Sequence, residues 1–349
     1  MYLVKDISGA IGLMAVALVL LGTWPVVLAV LERRGRLPQH TFLDFSVTNF
    51  LAAVLVALTF GQIGPDTPAT PNFLTQLTQL QNNWPSVLFA MAGGVTLSLG
   101  TLATQYGWAF VGLCVTEVMA SSLKVVIEIP KDLEEAKPDA AEATQALEKV
   151  EAGTAQFLVD LEEKRSIKVL GSHTLLGLGI VVFAGVFYAL FAPAFNLATN
   201  DQWHALPAGG AVPHLVVYTA YFYFSLACLA VSAALNVWFL YRPIMAGVPS
   251  STVSAYLRDG GEGRALAMLA GMVCGLGNAF TFMAGQAAGY AAADSVQALP
   301  LVSTFWGVVL FGEYRRSSRR SYTLLASMLL MFTVAMVLLM ASSNHRKPL

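Results

Sequence analysis

The stretch ISGAIGLMAVALVLLGTWPVVLAVL, residues 7–31, decides the class of this protein. It carries no charged side chain, and about 20 consecutive apolar residues are enough for a helix to cross the hydrocarbon core of a bilayer. Glu32-Arg33-Arg34-Gly35-Arg36 follows it, where a cleaved signal peptide would show small residues instead. We therefore expect residues 7–31 to remain in the protein as its first membrane span.

Similar apolar stretches continue along the chain. The chain is 56% hydrophobic and only 12% charged, whereas soluble proteins carry about 25% charged residues. Continuous apolar stretches of this length are helices when they cross a bilayer. The sequence thus predicts an all-α, polytopic membrane protein with about nine spans, near residues 8–31, 41–60, 86–105, 107–127, 170–193, 215–241, 264–285, 288–311 and 321–342.

Composition also narrows the possible partners and cofactors. A formal net charge of −1 argues against a nucleic-acid partner, because phosphate binding needs a basic surface. The five histidines are scattered without metal-ligand spacing, so we expect no metal, no cofactor and no enzyme activity, and a membrane enzyme is a weak alternative. The three cysteines lie inside apolar stretches and are interpreted as small packing residues: Cys114, Cys228 and Cys274.

The connections between spans indicate an orientation and an irregularity. Residues 33–36, 242–264 and 315–320 are basic, whereas 61–85 and 194–213 contain no Lys or Arg. The positive-inside rule places the basic connections in the cytosol and the N-terminus outside. Counting spans from the two ends then puts the segment 130–168 on opposite sides of the membrane. Either one span is missing, or the fourth apolar stretch does not cross the membrane; we take the conflict as evidence that the chain has lost a helix.

Two halves of the chain resemble each other. Ala90-Met91-Ala92-Gly93-Gly94 opens the third predicted span, and Ala267-Met268-Leu269-Ala270-Gly271 opens the seventh. Paired halves are a common design of carriers, and their small residues allow helix backbones to approach closely. We therefore predict two five-helix inverted repeats with the first incomplete: residues 1–129 with four spans, a charged cytosolic loop 130–168, and residues 169–349 with five spans.

Polar residues inside the spans are the candidate functional residues. An acid near the bilayer centre costs about 2.5–3.5 kcal/mol on insertion scales, so Glu117 and Asp294 are interpreted as proton carriers or substrate anchors. Asp44 begins a span, where a carboxylate favours the helix dipole, and is more typical of a structural acid. Amide and hydroxyl groups together with aromatic faces suit a flat solute with N–H and C=O groups: Gln286, Gln297, Thr116, Asn278, Trp24 and Trp306.

Four stretches resemble the plant ureide permease family, within the drug/metabolite transporter superfamily. They are LGTWP at 21–25, LERRGRLPQHT at 31–41, AFNLATNDQWH at 194–204 and GQAAGYAAAD at 285–294, continued by QALPLVSTFWG at 297–307. The resemblance implies ten spans in two halves of five and a plasma-membrane location. It also implies proton-coupled uptake of allantoin and related oxo-heterocycles such as uracil and xanthine, by alternating access. The partners would be the solute, protons and the lipid bilayer.

The chain departs from the family pattern at one place. After Val118-Met119-Ala120-Ser121 the family continues through its fourth helix into a fifth apolar helix, whereas this chain runs through Ile129-Pro130 into the charged segment. The departure coincides with the orientation conflict. It leaves a second hypothesis open, in which the chain is a non-transporting, truncated isoform that associates with or regulates full-length relatives.

Overall fold

The computed structural model describes residues 1–68, 70–79, 83–111, 113–128, 174–200, 214–243, 249–288 and 299–311, with residues 326–327, 330 and 333–334 near the end of the chain. Within these ranges every regular element is a helix. Six of the helices are long and apolar enough to cross a bilayer. The protein is therefore a multi-pass helical membrane protein, as the composition predicted.

Ten helices are numbered here in chain order. They are α1 (Ile7–Arg33), α2 (Pro38–Leu58), α3 (Phe73–Thr78), α4 (Trp84–Val111), α5 (Leu113–Glu128), α6 (Thr174–Thr199), α7 (Val217–Tyr241), α8 (Val253–Arg258), α9 (Glu262–Ala288) and α10 (Leu299–Phe311). The six candidate spans lie in α1, α2, α4, α6, α7 and α9, and α10 contains a shorter apolar stretch, Leu301–Leu310. The two short helices α3 and α8 lie in connections between spans.

The predicted boundary between the third and fourth spans was wrong. The sequence placed it near residue 106, but α4 continues to Val111, and α5 contains only 16 residues. Gly107 was expected to belong to the next span. Instead it lets α4 pack tightly, because a Cβ at this position would lie 3.0 Å from side-chain atoms of both Thr116 and Val181.

Part of the predicted second half falls outside the described residues. The eighth predicted span, 288–311, is described mainly through α10, and the ninth, 321–342, through five residues only. The predicted cytosolic loop 130–168 lies wholly outside them.

Helix packing has a regularity that matches the proposed repeat. The most extensive contacts are those of α4 with α6 and of α1 with α9, followed by α2 with α9 and α4 with α7. We match α1, α2, α4 and α5 of the first half with α6, α7, α9 and α10 of the second half, in that order. Under this matching the contact of α4 with α6 corresponds to that of α9 with α1, and the contact of α2 with α9 corresponds to that of α7 with α4. The contact of α5 with α6 likewise corresponds to that of α10 with α1. Each half thus packs mainly against the other, as two related halves would.

Glycines allow the closest of these approaches. A Cβ added to Gly94 of α4 would press into the carbonyl oxygen of Phe224 in α7. A Cβ added to Gly271 of α9 would likewise press into the carbonyl oxygen of Phe45 in α2. Close backbone contact at small residues is a common way for membrane helices to associate. The two glycines occupy corresponding positions of the two similar sequence stretches.

A cluster of charged and polar side chains joins α2 to the start of α9, at the end predicted to be cytosolic. Its centre is Asp44, whose side chain is 1% exposed. Asp44 accepts hydrogen bonds from Arg36 Nη2 at 2.6 Å, Arg264 Nε at 3.0 Å and the Tyr256 hydroxyl at 2.8 Å. The Arg264 guanidinium also lies over the Tyr256 ring, 4.8 Å from its centroid. We call this set, with His40, Ser251 and Asp259, the Asp44 cluster.

Asp259 extends the Asp44 cluster toward solvent. Its carboxylate lies 3.0 Å from His40 Nδ1 and 3.3 Å from Arg36 Nη2, and His40 Nε2 lies 2.8 Å from the Ser251 hydroxyl. Partial burial acts to raise the pKa of Asp259, but the hydrogen bond to His40 and the charge of Arg36 outweigh it and hold the pKa below its ordinary value. The connection that contains α8 is thereby tied to α2 by charged hydrogen bonds.

Candidate solute cavity

A cavity lies between the helices at half their length. Its lining includes Leu21 of α1, Cys228 of α7 and Cys274 of α9, each near the middle of a spanning helix. The cavity volume is about 120 Å³. By the same measure a single water molecule needs only about 10–15 Å³. The cavity therefore has room for a small organic solute at the depth where carriers bind theirs.

Hydroxyl groups on the cavity wall present acceptors to its interior. Ser46 Oγ donates to the Phe42 carbonyl at 2.7 Å, Thr101 Oγ1 to Leu97 at 2.8 Å, and Thr281 Oγ1 to Gly277 at 2.9 Å. In each case the proton is committed to a carbonyl of the same helix. The hydroxyl oxygens then remain available as acceptors, so these positions favour a solute that brings N–H donors.

Two asparagines and a serine pair add polar groups to the wall. Asn49 is 7% exposed, and its Oδ1 is enclosed without a hydrogen-bond partner. Asn278 Nδ2 lies 3.5 Å from Cys274 Sγ, a weak contact that leaves its amide largely uncommitted. Ser98 and Ser232 bond to each other at 2.7 Å across α4 and α7.

Glu117 is the acidic residue of the cavity. The α5 helix carries it, its side chain is 7% exposed, and its Oε1 accepts a hydrogen bond from Trp108 Nε1 at 2.9 Å. No ion pair of Glu117 is found among the described side chains. A carboxyl group held by one neutral donor is suited to gain and lose a proton, because no fixed cation opposes its neutral form.

Aromatic rings form much of the remaining wall. Trp24 and Phe45 line the cavity with centroids 5.0 Å apart, and Trp24 also contacts Trp108 at 5.7 Å. On another side Phe282 stacks on Phe195 at 3.8 Å with an interplanar angle of 9°. These flat apolar faces suit a planar ring, and the Trp24 contact connects them to the partner of Glu117.

The structure brings three of the sequence-predicted site residues together. Glu117, Asn278 and Trp24 all line the cavity. Asp294 and Gln297 lie outside the described residues.

The other three predicted residues lie elsewhere. Thr116 packs against Gly107, Gln286 accepts a weak bond from the Val4 amide at 3.4 Å, and Trp306 Nε1 donates to Thr23 Oγ1 at 3.2 Å. None of these three is among the cavity-lining residues of the described part of the chain.

Several lining residues were not among the predicted site residues. Asn49 is one of several small polar residues in the predicted spans, and the hydroxyl residues carry no signal of their own in an apolar helix. Cys228 and Cys274 were interpreted as packing residues; both are buried free thiols, and both also line the cavity. The described side chains include no cluster of acidic, histidine or cysteine ligands that could hold a metal.

Comparisons with known proteins agree on one family. The sequence model of the ureide permease family matches residues 41–133 and 128–342. The chain is 54% identical to ureide permease 2 of Arabidopsis thaliana over 404 aligned positions, which cover 99% of this chain and 100% of the relative. It is 50% identical to ureide permease 5 of the same plant, covering 99% of this chain and 97% of the relative.

A third relative is similarly close, with 52% identity to Arabidopsis ureide permease 1 over 99% of this chain and 100% of the relative. The family model matches the chain on both sides of residue 130, and the identity to these relatives is near one half over almost the whole chain. The chain and these relatives therefore share a common ancestor. This chain belongs to the ureide permease family.

Proposed function

We propose that the protein is a secondary transporter of ureides and related oxo-heterocycles of the allantoin, uracil and xanthine class. It would couple their uptake to protons by alternating access, at the plasma membrane. The observation that carries the proposal is the position of Glu117, a buried acid in the wall of a cavity at half the depth of the helices. The names of the relatives, all permeases, support the same class of activity.

The chemistry of the wall supports this class of solute. Ureides and oxo-pyrimidines or purines are flat and carry several N–H groups beside their carbonyls. The hydroxyl oxygens of Ser46, Thr101 and Thr281 would accept from those N–H groups, and the Asn278 amide would donate to a carbonyl. Trp24 would cover one ring face.

Glu117 would supply the coupling. In its neutral form it costs little in an apolar cavity, and with solute bound it would accept or release a proton as the cavity changes the side to which it opens. One coupled charge moving through 100 mV is worth about 2.3 kcal/mol, or roughly a 50-fold accumulation. Asp294 is kept as a second candidate for this role.

We also propose that the first half lacks its fifth helix. The family match is split at residues 128–133, where the sequence predicts the loss, and the alignment with ureide permease 2 is 404 positions long for a chain of 349 residues. The described helices α4, α5 and α6 pack against one another and contribute residues to the cavity wall, which supports a binding site that survives the loss of that helix.

The test is uptake of labelled allantoin in permease-deficient yeast at two external pH values, with surface expression measured in parallel. We expect uptake that is faster at the lower pH and is competed by uracil. Glu117→Gln should abolish uphill accumulation while keeping surface expression, because glutamine still accepts the Trp108 bond but cannot carry a proton. Asp66→Asn, at an exposed acid outside the spans, is the matched control and should behave as wild type.

Two outcomes would contradict the proposal. Unchanged uphill uptake by Glu117→Gln would exclude Glu117 as the coupling group. Absence of any uptake by the wild-type chain at normal surface expression would mean that the lost helix is needed, and would favour the truncated, regulatory isoform; that hypothesis predicts co-purification with a full-length relative.

A further inference from the structure

A second buried acid lies outside both the cavity and the Asp44 cluster. Glu32, in the last turn of α1, is 9% exposed, and its Oε1 is enclosed without any hydrogen-bond partner. None of the ion pairs among the described side chains includes it. Arg36, four residues further along the chain, pairs with Asp44 and Asp259. Burying a carboxylate whose Oε1 has no hydrogen-bond donor and which has no described ion pair is costly, so the group requires an explanation.

Gln105, which neighbours Glu32, also has a buried oxygen without a hydrogen-bond donor. Gln105 Nε2 donates to the Pro38 carbonyl at 3.1 Å, which fixes the nitrogen on that side of the amide. Its Oε1 is therefore a true acceptor, and this oxygen is also enclosed without a donor. The Gln105 side chain lies within hydrogen-bonding reach of Glu32. Two neighbouring side chains thus each hold a buried oxygen with no donor, and a proton on Glu32 would remove the charge from this buried pair.

The α4 helix links this acid to the cavity. Gln105 and Trp108 are three residues apart and so share one face of α4. Gln105 is the neighbour of Glu32, and Trp108 donates to Glu117. The partners of the two acids therefore lie one turn apart on the same helix, with Glu32 toward the predicted cytosolic end.

The remaining titratable groups near Glu32 do not replace this link. Tyr106 of α4 follows Gln105 directly in the chain. On α2 and at the start of α9 the charged groups whose side chains are described are those of the Asp44 cluster, which bond to one another, and Arg34 follows directly after α1.

We propose that Glu32 is a second proton-carrying residue of the transport cycle, between Glu117 and the cytosol; this rests on the proton coupling proposed above. Glu32 releases its proton to cytosolic water, and its carboxylate then takes up the proton that leaves Glu117. Glu117 is protonated again from the outer side. The net result of one cycle is one proton moved inward, with no other reactant.

Glu32→Gln separates this role from a structural one. Glutamine keeps the shape of the side chain and adds an N–H donor beside Gln105, so a purely structural residue would tolerate the change, whereas a proton carrier would not. In proteoliposomes we expect accumulation driven by a pH gradient to fall by about tenfold or more, while exchange of labelled for unlabelled allantoin stays near the wild-type rate. Asp66→Asn again serves as the control.

An infrared measurement reads the proton on Glu32 without any transport. The difference between wild-type and Glu32→Gln spectra of the purified protein at neutral pH should contain the carbonyl band of a protonated carboxyl group. Absence of this band would overturn the inference. If the wild type is proton-dependent and Glu32→Gln accumulates allantoin equally well, the relay alone is overturned. If the wild type takes up allantoin independently of pH, the proposed coupling itself is overturned.

Discussion

Asp44 and Glu117 are both buried acids of a membrane protein, yet their surroundings differ completely. Asp44 accepts bonds from two arginines and a tyrosine, whereas the bonded oxygen of Glu117 accepts one bond, from the neutral indole of Trp108. The first arrangement fixes a negative charge, because protonating Asp44 would leave two guanidinium groups without their partner. The second leaves the charge free to change. A sequence shows two acids in apolar stretches; only their partners separate a structural acid from a candidate for the proposed proton coupling.

The sharpest test of this contrast, and the largest expected effect, is Asp44→Asn. The change leaves Arg36 and Arg264 without their shared carboxylate in a largely buried place, and removing one partner of a buried ion pair costs about 3–5 kcal/mol. The melting temperature of the purified protein in detergent should fall strongly. Glu117→Gln is the matched comparison and should melt close to wild type, since no cation loses a partner. Equal decreases in melting temperature in the two variants would show that the two acids do not differ in this way.

Trp108→Phe should have an intermediate effect. It keeps the ring against Trp24 but removes the donor to Glu117, and a buried acceptor left without its donor costs about 1–3 kcal/mol. Melting of the purified variant measures the loss, with Trp84→Phe, at an exposed position, as the control. Because glutamine would still accept the Trp108 bond, Glu117→Met, alone and combined with Trp108→Phe, completes the thermodynamic cycle. A coupling energy near zero would mean that this bond does not hold Glu117 in place.

The smallest effect is expected at the edge of the Asp44 cluster. The pKa of Asp259 is below its ordinary value of 3.8, so its interactions stabilise the fold above that pH and are lost as the pH falls through the lower, folded-state pKa. Asp259→Asn should therefore be less stable than wild type near neutral pH, by less than about 1 kcal/mol for a partly exposed pair. The two proteins should converge at strongly acidic pH. A constant difference at all pH values would show that the charge of Asp259 is not the cause.

Most of the fold could be predicted, because the length of an apolar stretch is itself the physical condition for crossing a bilayer. The predicted first span, 8–31, and the sixth, 215–241, each end within a few residues of α1 and α7. The boundary near residue 106 failed for a tertiary reason. Gly107 makes room for Thr116 and Val181 of neighbouring helices, and nothing in the local sequence separates such a glycine from one that ends a helix.

The site was less predictable than the fold. The cost of a buried acid is visible in the sequence, and this pointed to Glu117. Which face of a helix meets the cavity depends on how the halves pack, so Thr116, next to Glu117, points into a helix contact instead. For the same reason Asn49 and the cavity hydroxyls could not be selected from other small polar residues of the spans.

The dominance of contacts between the two halves has a consequence for biogenesis. Leu21 of α1 packs against Gly277 of α9, across most of the length of the chain. At about 5–20 residues per second, α9 is synthesised roughly 10–50 s after α1. Throughout that time α1 and α2 lack α9, the helix against which both pack. Asp44 of α2 therefore lacks its partners Tyr256 and Arg264 until the start of α9 is made, and lipid or membrane chaperones must shield it until then.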